Sequence, residues 1–163
     1  MNAIELAAYV VLQSQRHRPM TPLRLHTLLY YLQVRHVTER HFSPLPIEFA
    51  AAASGPIALD LIPLLRGVDV VRLEHLAVPD PGASVPGFVK SVVADVLDET
   101  RRFTDDMLRG WAEMNPWLRA RARARQAGWD ETALADSREC GDGAQIPRIT
   151  AADFQGPDVG VDP

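Results

Sequence analysis

The chain is poor in the residues that bring ready-made chemistry. One cysteine in 163 residues, Cys140, excludes an intrachain disulfide and a cysteine metal cage. Lysine is almost missing: Lys90 stands alone against sixteen arginines, a codon habit that weakens each arginine as a sign of bidentate recognition. Basic residues (17) are outnumbered by acidic ones (21), so the excess of positive charge that phosphate contacts call for in a duplex-DNA binder is absent. The longest apolar stretches, 45–53 and 57–65, are broken by Glu48, Asp60 and prolines and fall short of the roughly 20 residues that span a bilayer. The first residues carry no basic segment ahead of an apolar one, so a secretory signal is not expected and the reading is a cytoplasmic protein without a membrane partner.

What remains is ordinary globular material. Apolar residues are 47% of the chain and charged residues 23%, close to the globular average, and 163 residues can bury a sizeable core that needs no metal or disulfide to hold it together. Asn2 and Glu5 form a capping pair, and Ile4, Ala7, Ala8, Val11 and Leu12 recur at helical spacing over 3–15. Thr21 caps a second helix with Pro22 in its first position, and Leu25, Leu28, Leu29 and Leu32 line its core face to about Thr38. Pro44 and Pro46 interrupt helix, so the segment through Phe49 and its alanines reads as a short extended piece. Gly55 then permits a tight approach and Pro56 starts a helix, with 57–65 a third helical segment that is broken by Pro63 or begins after it. Residues 68–73 are β-branched enough for a strand, and 79–82 form a loop. Val89, Val92, Val93, Val96 and Leu97 mark another helix. Thr104 caps a short one holding Met107, Leu108 and Trp111. Asn115 and Pro116 start a last long helix that Gly128 ends. A loop over 136–145 and a helical turn over 150–154 follow. The expectation is a mainly α fold, one helical domain over 1–155 with at most a small antiparallel β-hairpin, and a flexible tail over 156–163.

Catalytic and metal constellations are hard to assemble. His17, His26, His36, His41 and His75 contain no pair three or four apart, the spacing that sets two imidazoles on one helical face. Ala53-Ser54-Gly55 lacks the glycine that a nucleophile elbow needs before its serine, and Cys140 has no neighbouring histidine. Asp105 and Asp106 are adjacent and point in different helical directions. No catalytic, cofactor or metal site is therefore expected. Arg119, Arg121, Arg123 and Arg125 alternate with alanines. Residues two apart lie about 200° around a helix, so these arginines spread over two sides, as a solvated helix or as part of a partner surface. Tyr30 and Tyr31 diverge by about 100°, one toward the core and one half exposed. Trp117 reads as core or as an interface anchor.

Three stretches together resemble a known family. Thr21-Pro22 followed by Leu25 to Gln33 with its Leu28-Leu29-Tyr30-Tyr31, then Glu48-Phe49-Ala50-Ala51 leading to Gly55-Pro56-Ile57, then Pro116-Trp117 followed by Ala120-Arg121, are similar in order and spacing to the Panacea (SocA-like) antitoxin domain. Arg24 and Thr27 stand where that family has lysines, and His26 where it has a glutamine. The resemblance covers about residues 2–154. It implies an antitoxin that neutralises a co-encoded protein toxin by direct binding, in some members as an adaptor to a protease, with a chaperone as another possible partner. A nucleic-acid-binding regulator of its own operon is the rival reading. Interfaces draw most of their energy from a few aromatic and arginine anchors. The candidate contacts are therefore Tyr30 or Tyr31, whichever is exposed, Trp117, and the arginines 119, 121, 123 and 125, or else a segment within 136–163 that folds on its partner.

Overall fold

A computed structural model describes residues 1–15, 18–38, 44–113, 115–129 and 146–155. Helix α1 (Ala3–Ser14) starts in a reciprocal capping box: Asn2 Oδ1 accepts the Glu5 N–H at 2.9 Å and the Asn2 N–H donates to Glu5 Oε2 at 2.7 Å. Helix α2 (Pro22–Thr38) follows, with Thr21 Oγ1 accepting the Arg24 N–H at 3.1 Å. Its Leu25, Leu28, Leu29 and Leu32 are all fully buried, and it is the central element, packed against α1, the sheet and three later helices.

The extended piece is a tight hairpin. Strand β1 (Phe49–Ala52) pairs antiparallel with β2 (Gly55–Ala58), Phe49 opposite Ala58 and Ala52 opposite Gly55, around a two-residue turn. Gly55 has φ +122°, a backbone that residues with side chains rarely adopt. Pro56 therefore lies inside a strand and starts no helix, a correction to the sequence reading. Helical geometry begins only after Ala58, as a 3₁₀ turn over Leu59–Leu61 and the short helix α3 (Ile62–Leu65), with Pro63 in its first turn.

The strand expected over 68–73 does not form. The Val68 N–H turns back to Leu65 O and the Val71 N–H bonds Met20 O, so neither is left for a ladder, and α4 (Leu73–Leu76) begins at once. Beyond the 79–82 loop come α5 (Gly87–Thr100), with Val89, Val92, Val93, Val96 and Leu97 buried, and α6 (Asp105–Ala112), capped by Thr104 Oγ1 on the Met107 N–H at 3.2 Å. Helix α7 (Asn115–Gln126) ends before Gly128, whose φ is +91°.

Strand β3 (Arg148–Ile149) and α8 (Ala151–Gln155) close the described chain. β3 adds to the other side of β1, giving the order β2-β1-β3, one short strand more than the hairpin read from sequence. The fold is mainly helical with this small antiparallel sheet, and one hydrophobic core runs from Ala3 to Phe154. Among the described residues no helix is long and apolar enough to cross a membrane. The loop expected over 136–145, the tail over 156–163, Cys140, His17 and His41 lie outside the described residues.

Candidate partner-binding surface

Helix α7 is tied to α2 and the sheet by buried polar contacts. The Trp117 N–H, one of the first-turn donors that no helix can satisfy itself, donates to Tyr30 Oη at 3.0 Å. Its indole Nε1–H donates to Ala52 O at 3.0 Å. Arg121 Nη1 reaches Ala51 O at 3.2 Å, and its guanidinium lies 4.9 Å from the Trp117 ring centroid. The Tyr30 ring meets Phe49 edge-on at 5.5 Å and Phe154 at 6.0 Å, and burial drives its phenol far above the usual range. Relative exposures of 1% for Tyr30, 9% for Trp117 and 7% for Arg121 settle their place. These three are internal, so the expectation that Trp117 and Arg121 belong to a partner-facing set is corrected, and of the two tyrosines Tyr30 is the core one.

The other arginines divide as their helical positions require. Arg119 Nη1 donates to Asp153 O at 2.5 Å. Arg123 donates to Asp153 Oδ2 at 2.9 Å and to Arg148 O at 2.8 Å. Asp153 Oδ2 also accepts the Thr150 N–H and hydroxyl, so this one carboxylate closes the start of α8 and holds it on α7. Arg125 is exposed at the far end. Alternation in sequence thus becomes grouping by threes and fours. Trp117, Ala120, Arg121 and Ala124 pack inward, while Arg119 and Arg123, one turn apart, face α8.

Each edge of the sheet has an outward backbone group taken by a side chain. The Leu59 N–H bonds Glu48 O at 2.9 Å, so by alternation the backbones of Ala58 and Pro56 face away from β1. The Ala58 N–H donates to His26 Nδ1 at 3.1 Å, and Pro56 has no N–H to offer. On the opposite edge Arg148 O is taken by Arg123.

The side-chain surface lies across α2 from this hub. Tyr31 is half-buried, meets Trp111 of α6 edge-on at 3.9 Å between centroids, and donates its hydroxyl to Glu99 Oε2 at 3.1 Å. Arg35 pairs with the same carboxylate. Hydrogen bonding from Arg35 holds the Glu99 carboxyl below its ordinary range, while burial and then the Glu99 charge push the Tyr31 phenol up. Met107 sits one turn before Trp111 and is 53% exposed. The support is firm: buried Arg24 donates to Phe103 O at 2.9 Å, Asp105 Oδ1 at 3.1 Å and Thr100 O at 3.2 Å, and the Thr21 hydroxyl donates to Asp105 Oδ2 at 2.6 Å. The start of α6 is thereby locked to α2. Sequence reasoning placed Tyr31 but overlooked Met107 and Trp111. Their signal was an apolar stripe on α6 made of two i, i+4 pairs, Met107–Trp111 and Leu108–Ala112, wider than one buried seam needs. At the other end of the α2–α5 pair, Phe88 is 53% exposed and stacks on His36 at 5.7 Å.

Among the described residues no three histidines, cysteines or carboxylates come together as a metal site. His75 Nδ1 accepts the Arg72 N–H at the start of α4. Asp105 faces Arg24, whereas Asp106 pairs with Arg109 at 3.4 Å. The remaining residues of the resemblance, Leu25, Leu28, Leu29, Gly55, Pro56 and Pro116, are all buried. No protein family, curated protein or solved structure matches this chain.

Proposed function

We propose that this chain is an antitoxin of the Panacea, SocA-like kind, acting in the cytoplasm, where it neutralises a co-encoded protein toxin by direct contact. The observation that carries the reading is convergence. The three separated stretches that resemble the family meet through three side chains: Tyr30 of the first receives the Trp117 N–H of the third, and Trp117 and Arg121 bond the carbonyls of Ala52 and Ala51, beside and in the second. Residues that share a hydrogen-bonded hub act together in folding, and this convergence is what supports the reading. Tyr31, Met107 and Trp111, on a surface pinned from below by Arg24, supply the aromatic contact area such an interface uses.

The rival, a regulator that binds its own operon, needs a basic face for phosphates. Arg119, Arg121 and Arg123 commit N–H donors to the chain's own carbonyls, which favours the protein partner. Co-expression with the product of the adjacent reading frame tests the proposal. Growth rescued together with co-purification of the two proteins is the expected result. Rescue without a complex, or a shift of operator DNA by the protein alone, overturns it. Whether a protease or chaperone joins the complex is read from the toxin's lifetime in strains lacking each.

A further inference from the structure

Helix α6 carries a glycine that the fold does not use. Gly55, Gly67, Gly82 and Gly128 have positive φ, which accounts for them. Gly110 lies inside Asp105–Ala112 without a positive φ, and among the described residues a Cβ added to it would meet nothing within 4 Å. Alanine would fit there and make the better helix, since a glycine inside a helix weakens it. Leu108 and Ala112 are buried, so Gly110, about half a turn around from both, lies at the centre of the outward face. Met107, 53% exposed, and half-buried Trp111 stand on one side of it, Asp106 and Glu113 on the other. Bare backbone is thus framed by two large apolar side chains and two carboxylates.

The two carboxylates share one cation. Arg109 reaches Asp106 at 3.4 Å and Glu113 at 3.9 Å, and the Asp106 side chain is 85% exposed. One guanidinium against two carboxylates leaves this rim net negative, in a chain whose own charge is −4. A partner laid over the notch meets apolar surface along one flank and negative charge along the other. A helix with an apolar row at spacings of three and four, and lysines or arginines beside that row, has the matching pattern. The missing Cβ lets two helix backbones approach closely. An extended segment would look for a ladder, and the backbone of α6 is already bonded within the helix. We infer, on the reading of this face as the toxin contact, that α6 docks a basic amphipathic helix of the toxin. That helix crosses at Gly110, its apolar row on Met107 and Trp111 and its cations on Asp106 and Glu113.

The test sets the melting temperature of the free chain beside its affinity for the product of the adjacent reading frame. Gly110→Ala should raise the first by about 2 °C and weaken the second at least about tenfold, because the added methyl helps the helix and fills the notch. Gly87→Ala, at the exposed start of α5, should leave the affinity unchanged. Asp106→Asn combined with Glu113→Gln should weaken binding about tenfold in dilute salt and flatten its dependence on salt. Hydrogen exchange of the toxin in the complex should show protection over a helical run that bears lysine or arginine. A lower melting temperature in Gly110→Ala would show that the fold needs the glycine, and an unchanged affinity would show that the partner does not. Either overturns the inference, and a wild-type complex leaves the antitoxin reading standing. Binding indifferent to salt, or protection confined to a strand or an acidic segment, overturns it as well. No complex with wild type removes the antitoxin reading and this inference together.

Discussion

Tyr30 and Tyr31 are neighbours in sequence and opposites in the fold. Tyr30 points into the hub, its hydroxyl accepting from Trp117 and its ring wedged between Phe49 and Phe154. Tyr31 points outward, shared between Trp111 and a carboxylate that Arg35 also holds. The same side chain, turned by about 100°, passes from folding to surface chemistry. Aromatic content therefore says little about where an interface lies. The depth of the helix face, and whether the polar tip finds a partner from a distant segment, decide it.

The comparison is broken most severely at Trp117. Trp117→Ala removes a buried ring, the indole bond to Ala52 and the surface under Arg121, and is expected to cost about 4 kcal/mol, read as a large fall in melting temperature of the isolated protein. A near-native melt would mean that the hub does not carry the fold.

Acid attacks the same side of α2 through His26. Burial lowers its pKa from 6.5 to about 4. The unfolded chain thus takes up this proton near 6.5 while the folded one resists until about 4. The stabilisation is complete above 6.5 and is lost as pH falls through that window, up to about 3 kcal/mol. Chemical denaturation at a series of pH values should show the loss in wild type and a smaller one in His26→Gln.

The tyrosines give the finest contrast. Tyr30→Phe leaves the buried Trp117 N–H without its acceptor and should cost about 1–2 kcal/mol. Tyr31→Phe gives up one half-exposed bond to Glu99 and should stay within about 0.5 kcal/mol. Equal losses from the two would erase the distinction drawn between the faces.

Much of this was legible in the sequence wherever local signals agree. Asn2 with Glu5, Thr21 with Pro22, and Thr104 each mark a helix start that the structure reproduces, and the valines of α5 fall on one buried face. The divergence of the two tyrosines followed from helical geometry alone. Other features depend on partners far along the chain. Strand β3 is two residues long and owes its existence to β1, so no periodicity announces it. Pro56 after a glycine reads as a helix start, and only the pairing of its segment with β1, Ala51 opposite Pro56, makes it a strand residue. The arginines of α7 look alike until the carbonyls of Ala51, Arg148 and Asp153 sort them.

The central claim is that the outward side of α2 and α6 meets the toxin while the inward side only holds the fold. Its most direct test is the affinity of the purified chain for the product of the adjacent reading frame, wild type against Met107→Glu. Met107 is more than half exposed, so the melting temperature should not change. A charge placed in the contact should weaken binding at least about thirtyfold, the effect of losing an anchor of about 2 kcal/mol. Tight binding by wild type and an undiminished affinity in Met107→Glu would contradict the account and move the interface away from this surface.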